Sequence, residues 1–229
     1  MKIIGHRGAK GLAPENTLAS FKKALEHHVD QIELDLRVTA DGVVVLNHNR
    51  FIRWANGKKS IIREHSYKYL QQHQADLLTF VDFLAAIKHD VSLLIEIKPH
   101  EQTDQIIELI HAELLAGRPA KNMAIASFDQ AILRRIHAAF PKLPMVVNER
   151  WSGVRGGLRA RELGTKRLNM RSWWLWTGFL RSMKKRGYLV APYVMNDPAK
   201  VRRWQPYIYG IVTDRPDFWE VRPPKSKNT

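Results

Sequence analysis

Cysteine is absent from the 229 residues, which excludes disulfides, thiolate metal sites and a cysteine nucleophile. No run of about 18 apolar residues occurs, so no membrane-spanning helix is expected. The polar residues His6 and Arg7 follow Met1 almost at once, so no signal peptide is expected and the reading is a cytoplasmic protein. No G-x-G-x-x-G follows the first apolar run, which disfavours a dinucleotide fold. Repeats, low-complexity blocks and domain-dividing linkers are missing as well. Acidic residues are scarce in one half only: residues 118–229 hold 7 Asp+Glu against 23 Lys+Arg, while residues 1–117 hold 15 against 14. The net charge of +15 therefore resides in the second half and points to an anionic partner: a phosphate-bearing substrate, a membrane surface or nucleic acid.

What is present suits one large domain. Hydrophobic residues make up 45% of the chain, enough for a substantial core at a length that α/β barrels reach undivided. Short apolar runs alternate with helical patterns throughout. Strands are expected over Lys2–Gly5, the segment Gln31–His48 with a turn at Asp41-Gly42, Val91–Lys98, Met123–Ala126, Met145–Val147, Arg167–Met170, Tyr188–Met195 and Tyr209–Thr213. Helices are expected over Thr17–His28, Leu77–His89, Ile106–Leu115, Gln130–Ala139, Leu158–Leu163, Arg171–Gly187 and Pro198–Trp204, with a loop over Asn49–Ser66. About eight βα units with polar residues at strand ends describe a closed TIM (β/α)8 barrel spanning residues 1–221. A polar tail over 222–229 would follow, and the site would lie at the C-terminal rim of the strands.

The chain is organised around QIELDLRVTADGVVVLNH. Residues two apart on a strand share a face, so Glu33 and Asp35 point one way and Ile32, Leu34 and Leu36 the other. Two carboxylates on a buried face repel unless a cation sits between them. Glu96 and Lys98 end a later strand with the same spacing, His6 and Arg7 end the first, and His48 ends the hairpin. Three carboxylates without thiolates favour a hard ion such as Mg²⁺ or Ca²⁺. The two histidines suit either metal ligation or proton transfer. Arg7 and Lys98 suit a phosphate. Together these describe metal-assisted phosphoryl chemistry.

The stretches GHRGAKGLAPENTLASFKKAL and IELDLRVTADGVVVLNH resemble the signature of the glycerophosphodiester phosphodiesterases, and LIEIKP, SFD and GIVTDRPD agree with it. The resemblance implies a TIM barrel of the PLC-like phosphodiesterase type, with one divalent cation held by Glu33, Asp35 and Glu96. It implies His6 and His48 as the acid–base pair. It also places Arg7, Glu15, Asn16, Lys98 and Tyr193 in substrate binding, with glycerol 3-phosphate and an alcohol as products. Asn49 stands where the family usually has Asp, Trp54 where a small Thr is usual, and Tyr193-Val194-Met195-Asn196 replaces W-T-V-N. Alternatives are a lysophospholipase D-like enzyme acting on lipid-tailed substrates and a catalytically weakened binding module; a nucleic-acid partner is disfavoured. In the helix expected over Arg171–Gly187, Trp173, Trp176, Phe179, Leu180 and Met183 form a stripe that should pack on the barrel. Trp174, opposite beside Arg181 and Lys185, would then be the exposed anchor for peripheral contact with an anionic membrane.

Overall fold

The structure, a computed structural model, describes residues 1–219; the expected tail over 222–229 lies outside the described residues. Eight parallel strands form a closed ring: β1 Lys2–Gly5, β2 Gln31–Val38, β3 Leu93–Ile97, β4 Met123–Ser127, β5 Met145–Glu149, β6 Arg167–Arg171, β7 Leu189–Tyr193 and β8 Gly210–Thr213. Closure is made by β1, which pairs with β8 on one side (Lys2 opposite Gly210) and with β2 on the other (Ile4 opposite Gln31). A ninth strand, Val44–Leu46, returns antiparallel along β2 after the turn at Asp41-Gly42. Among the described residues no helix is long and apolar enough to cross a membrane.

Strand periodicity sorts the side chains into two layers. The outward residues of β2 and β3 (Ile32, Leu34, Leu36, Leu93, Ile95, Ile97) are fully buried beneath the surrounding helices in the main core. A second, smaller core of Ile4, Leu94, Ala124, Ala126, Val146, Ala191 and Val212 fills the barrel interior. Moving two residues at a time toward the C-terminal rim, each inward series turns polar or aromatic: Ile4 leads to His6, Leu94 to Glu96 and Lys98, Val146 to Asn148 and Arg150, Ala191 to Tyr193. The apolar plug therefore sits below, and the functional groups stand above it.

The turn after β1 depends on its glycine. Arg7 and Gly8 both have positive φ (50° and 86°), and a Cβ on Gly8 would stand 2.4 Å from Ser20 Oγ and 2.6 Å from Ser20 C. Ser20, in the helix Leu18–Glu26 capped by Thr17, donates to Arg7 O and accepts from Ala9 N–H. This close approach of helix and loop holds the His6-Arg7-Gly8 turn over the barrel mouth.

Three local expectations are corrected. The loop over Asn49–Ser66 contains a hairpin, Phe51–Arg53 with Lys59–Ile61, turning at Asn56-Gly57; its strands of three residues are too short to show an alternating pattern. Trp54 stacks on His73 (ring centroids 3.7 Å apart) and donates to Ser60 Oγ, away from the barrel mouth. The Trp-rich segment is not one helix: a single 3-10 turn over Ser172–Trp174 is followed by extended residues at Leu175 and Trp176, then a helix over Thr177–Lys185. Leu175 is buried, and anchoring it breaks the helical register, so Trp173 and Trp176 no longer share a face with Leu180 and Met183. Trp173 and Trp176 are 60% and 65% exposed. Trp174, expected to be the exposed anchor, is half-buried, donates from Nε1 to Arg150 O at 2.6 Å and leans on Phe179.

Candidate active site

A cavity of about 480 Å³ opens at the C-terminal rim, lined by His6, Arg7, Glu33, His48, Glu96, Lys98 and Tyr193 among others. Glu33 and Asp35 come from β2 and Glu96 from the adjacent β3, where Asp35 lies in register with Glu96. All three are buried, and one oxygen of each falls within 4.8 Å of the others. Burial, with Asp35 and Glu96 adding repulsion, drives the Glu33 carboxyl well above the usual carboxylate range. Asp35 goes the other way: burial alone would raise it, but Lys98 and Arg7 hold it well below the usual range. Three buried carboxyls facing only Lys98 and Arg7 leave the cluster short of positive charge.

Lys98 Nζ donates to Glu96 Oε1 at 2.5 Å and lies 2.6 Å from Asp35 Oδ1. Asp35 Oδ1 is inaccessible to solvent and has the Lys98 ammonium as its partner. Burial would lower the Lys98 pKa, but Glu96 and Asp35 raise it. An oxygen-only donor set of three buried, mutually repelling carboxyls fits a divalent cation of the Mg²⁺ or Ca²⁺ kind.

Arg7 is held from three sides. Its backbone N–H donates to Glu33 Oε2 at 2.7 Å, its Nη1 to Glu15 Oε2 at 2.8 Å, and its Nε lies 3.1 Å from Asp35 Oδ2. Asn16, at φ 58°, donates from Nδ2 to Asp35 Oδ2 and accepts from Asp35 N–H. Glu15 and Asn16 do not line the cavity; Glu15 holds Arg7, which does, and Asn16 holds Asp35. Tyr193 lines the wall, and its hydroxyl donates to Glu149 O at 3.3 Å.

The two histidines have different surroundings. His6 Nδ1 lies 2.6 Å from Asp214 Oδ1. Burial opposes ionisation of Asp214, but its bond to His6 keeps the carboxyl below the usual range, so it accepts and Nδ1 carries the proton. His6 Nε2 is then the atom free for the cavity. His48 Nδ1 donates to Asn49 Oδ1 at 3.2 Å. Burial, together with Lys98 and Arg7 and against partial support from Asp35, depresses the His48 pKa to about 4, so the ring is neutral at neutral pH. Arg37 fixes the backbone here, donating twice to His48 O (2.9 and 3.2 Å) while paired with Glu101 at 2.6 Å.

Several groups in this cavity were not singled out from the sequence. Asn148 donates to Glu96 Oε2 at 2.9 Å and Asn169 to Asn148 Oδ1 at 3.0 Å, a buried amide relay from β6 across to β3. Asp214 lies in the quoted GIVTDRPD stretch without an assigned role, and Asn196 donates to it at 3.2 Å. Phe128, Arg150, Arg171 and Trp173 complete the far wall. The signal that reaches them is the inward period of two, continued past the ends of β4, β5 and β6.

The model of the glycerophosphoryl diester phosphodiesterase family matches residues 6–218. The Bacillus subtilis (strain 168) protein YhdW is 30% identical over 234 residues, covering 95% of this chain and 96% of that protein. A solved glycerophosphodiester phosphodiesterase from Thermotoga maritima superposes with a TM-score of 0.78 at 26% identity, over 97% of this chain and 98% of that one. An Oleispira antarctica phosphodiesterase, solved in complex with the product sn-glycerol-3-phosphate, has the same fold, with a TM-score of 0.83 at 22% identity over 95% and 94%. The family match begins at His6 and ends beyond Asp214, taking in every strand end that faces the cavity, and the chain belongs to the glycerophosphoryl diester phosphodiesterase family.

Proposed function

We propose that the protein hydrolyses glycerophosphodiesters to glycerol 3-phosphate and an alcohol, using a divalent cation and two histidines. The observation that carries this reading is the meeting of three buried carboxylates and two unlike histidines at one barrel mouth. Glu33, Asp35 and Glu96 would hold the cation, which when bound supplies counter-charge and polarises a phosphoryl oxygen. Arg7 and Lys98 face the same space and bind phosphate oxygens. The free hydroxyl of the substrate's glycerol lies beside phosphorus, so intramolecular attack needs only orientation and loss of a proton. Neutral His48 accepts that proton. In its imidazolium form His6, held through Nδ1–H by Asp214, delivers the Nε2 proton to the departing alcohol oxygen. Water then opens the resulting cyclic phosphate with the two roles exchanged.

The test is purified protein with glycerophosphocholine, glycerophosphoethanolamine and lysophosphatidylcholine, each with Mg²⁺, with Ca²⁺ and with EDTA. Glycerol 3-phosphate should appear from a water-soluble diester in a metal-dependent manner; its absence under every metal condition overturns the reading. A second reading rests on the exposed indole of Trp173, which lines the cavity: contact with an anionic membrane and lipid-tailed substrates. Faster turnover of lysophosphatidylcholine, with salt-sensitive sedimentation on anionic vesicles that Trp173→Ala weakens, would select it.

Asn49 tunes His48. An aspartate there would add a charge where Asn49 Oδ1 now accepts from Nδ1, raising the His48 pKa. A raised pKa leaves the base protonated to higher pH, so Asn49→Asp should move the acid limb of the rate profile upward by up to about one unit. A pH–rate series on both proteins checks this. A gain in turnover beyond about a thousandfold would instead mark the natural chain as a weakened binding module, since it far exceeds the tuning expected from a one-unit shift.

A further inference from the structure

The wall opposite the carboxylates has a different chemistry. In a ring of eight strands, members four apart face each other, so β5 opposes β1 and β6 opposes β2. Arg150, one residue beyond β5, therefore stands across from His6 and Arg7, and Arg171, the last residue of β6, across from Glu33 and Asp35. Both line the cavity.

These two guanidinium groups are held by aromatic faces. Arg171 lies over Trp151 and Trp173, 5.7 and 5.9 Å from the ring centroids, and the two indoles meet edge to face at 5.9 Å. Arg150 lies 4.6 Å over Phe128, whose ring is in turn edge-on to Tyr193 at 6.2 Å. Among the described residues neither has a carboxylate within ion-pair distance. Glu149, the acidic neighbour of Arg150, is fully buried and already engaged by Arg155 at 2.6 Å, by Arg159 at 3.7 Å and by the backbone N–H groups of residues 150 to 152. A cation stacked on an aromatic face is positioned without being neutralised: its charge and its fork of N–H donors remain available.

Such a pair would repel a quaternary ammonium, and the aromatic faces that could have caged one are already covered by arginine. It suits an anion instead. Arg7, Lys98 and the carboxylate-bound cation account for the reacting phosphate on the near wall, so the far wall is left for the alcohol that departs.

We propose that Arg150 and Arg171 form a leaving-group subsite that selects glycerophosphodiesters whose alcohol carries a phosphate or carboxylate. The proposal rests on the hydrolytic reading above and names its substrate class. The leaving group's anion meets two bidentate donors whose planes the indoles and Phe128 hold, while Trp173 covers its apolar body.

The experiment compares glycerophosphoinositol 4-phosphate with glycerophosphoinositol, which differ only in the anion, and with glycerophosphocholine. For the wild type, kcat/KM should be at least about tenfold higher for the phosphorylated substrate than for its neutral counterpart, a scale expected of charge-assisted recognition. The choline diester should be the poorest. In Arg150→Gln/Arg171→Gln the ratio of phosphorylated to neutral substrate should fall to within about threefold of one. Arg202→Gln, which removes a charge from an exposed position on the helix Pro198–Trp204, should keep the ratio and so exclude a general field effect. A second measurement needs no turnover: inositol 4-phosphate should quench tryptophan fluorescence with an affinity that the double variant lowers about tenfold, while inositol should not. Equal hydrolysis of all three diesters overturns the subsite and leaves the diesterase reading standing. Hydrolysis of none, with arginine-dependent binding of inositol 4-phosphate, overturns the diesterase reading and leaves the anion site. Binding that is the same in wild type and double variant overturns the subsite in either case.

Discussion

EDTA is expected to abolish diester hydrolysis, and Mg²⁺ or Ca²⁺ to restore it. The reason lies in the charge balance of the buried cluster. Glu33, Asp35 and Glu96 share one pocket with Lys98 and Arg7, and burial beside the other two carboxyls pushes Glu33 well above the usual range. A divalent cation would relieve that repulsion, so added metal should raise the unfolding temperature of the chelated protein. The same balance separates two variants. Glu33→Gln replaces one of three mutually repelling buried carboxyls with a neutral isostere, so it should weaken divalent binding severely while leaving the metal-free protein folded. Asp35→Asn removes one ionised partner from both Lys98 and Arg7, which keep Glu96 and Glu15, so it should lower thermal stability as well as metal binding. Calorimetric titration with metal, read beside thermal unfolding, distinguishes the two. Full activity in EDTA, with no metal by elemental analysis, would sink this account.

Loss of either histidine should be nearly as severe. His6→Ala and His48→Ala are each expected to lower kcat by about 10² or more, the range usual for a positioned acid or base. The effects should differ in form, because the two rings are prepared differently. His48 is poised neutral by burial and neighbouring cations, so its loss removes the acceptor for the attacking hydroxyl. His6 depends on Asp214 for its tautomer. Asp214→Asn should therefore lower kcat with little change in KM, because an amide keeps a hydrogen bond to Nδ1 but loses the charge that stabilises the imidazolium from which His6 donates. A leaving group that needs no protonation, such as p-nitrophenol in glycerophospho-p-nitrophenol, should rescue His6→Ala and not His48→Ala. Wild-type turnover in either alanine variant would remove that histidine from the chemistry.

The first half of the chain was legible because its signals are local. Glu33 and Asp35 advertise their shared face through a spacing of two on a strand whose other face is wholly apolar, and Glu96 with Lys98 repeats it. The closed barrel was also readable, since eight short apolar runs separated by helical patterns leave few other architectures. The second half was less so. The inward series Val146, Asn148, Arg150 and Arg167, Asn169, Arg171 carry no acidic pair to draw attention, and an arginine at a strand end reads like any other member of a basic surface. The Trp-rich segment was misassigned because helical spacing was applied across Leu175, where a buried side chain breaks the helix. No local pattern announces that break; it comes from packing against the barrel.

The sequence by itself therefore determined the barrel, the family and the two walls of residues from β1 to β3, because strand periodicity alone decides which side chains share a face. Only the tertiary structure decided what crosses the ring: Asp214 against His6, 208 residues apart in the chain, Asn148 against Glu96, and Arg150 and Arg171 opposite the carboxylates. The physical reason is closure. A strand specifies its own inward face, but which groups meet over the barrel mouth depends on the order of strands around the ring and on loops that pack across it, and neither is encoded in any single stretch.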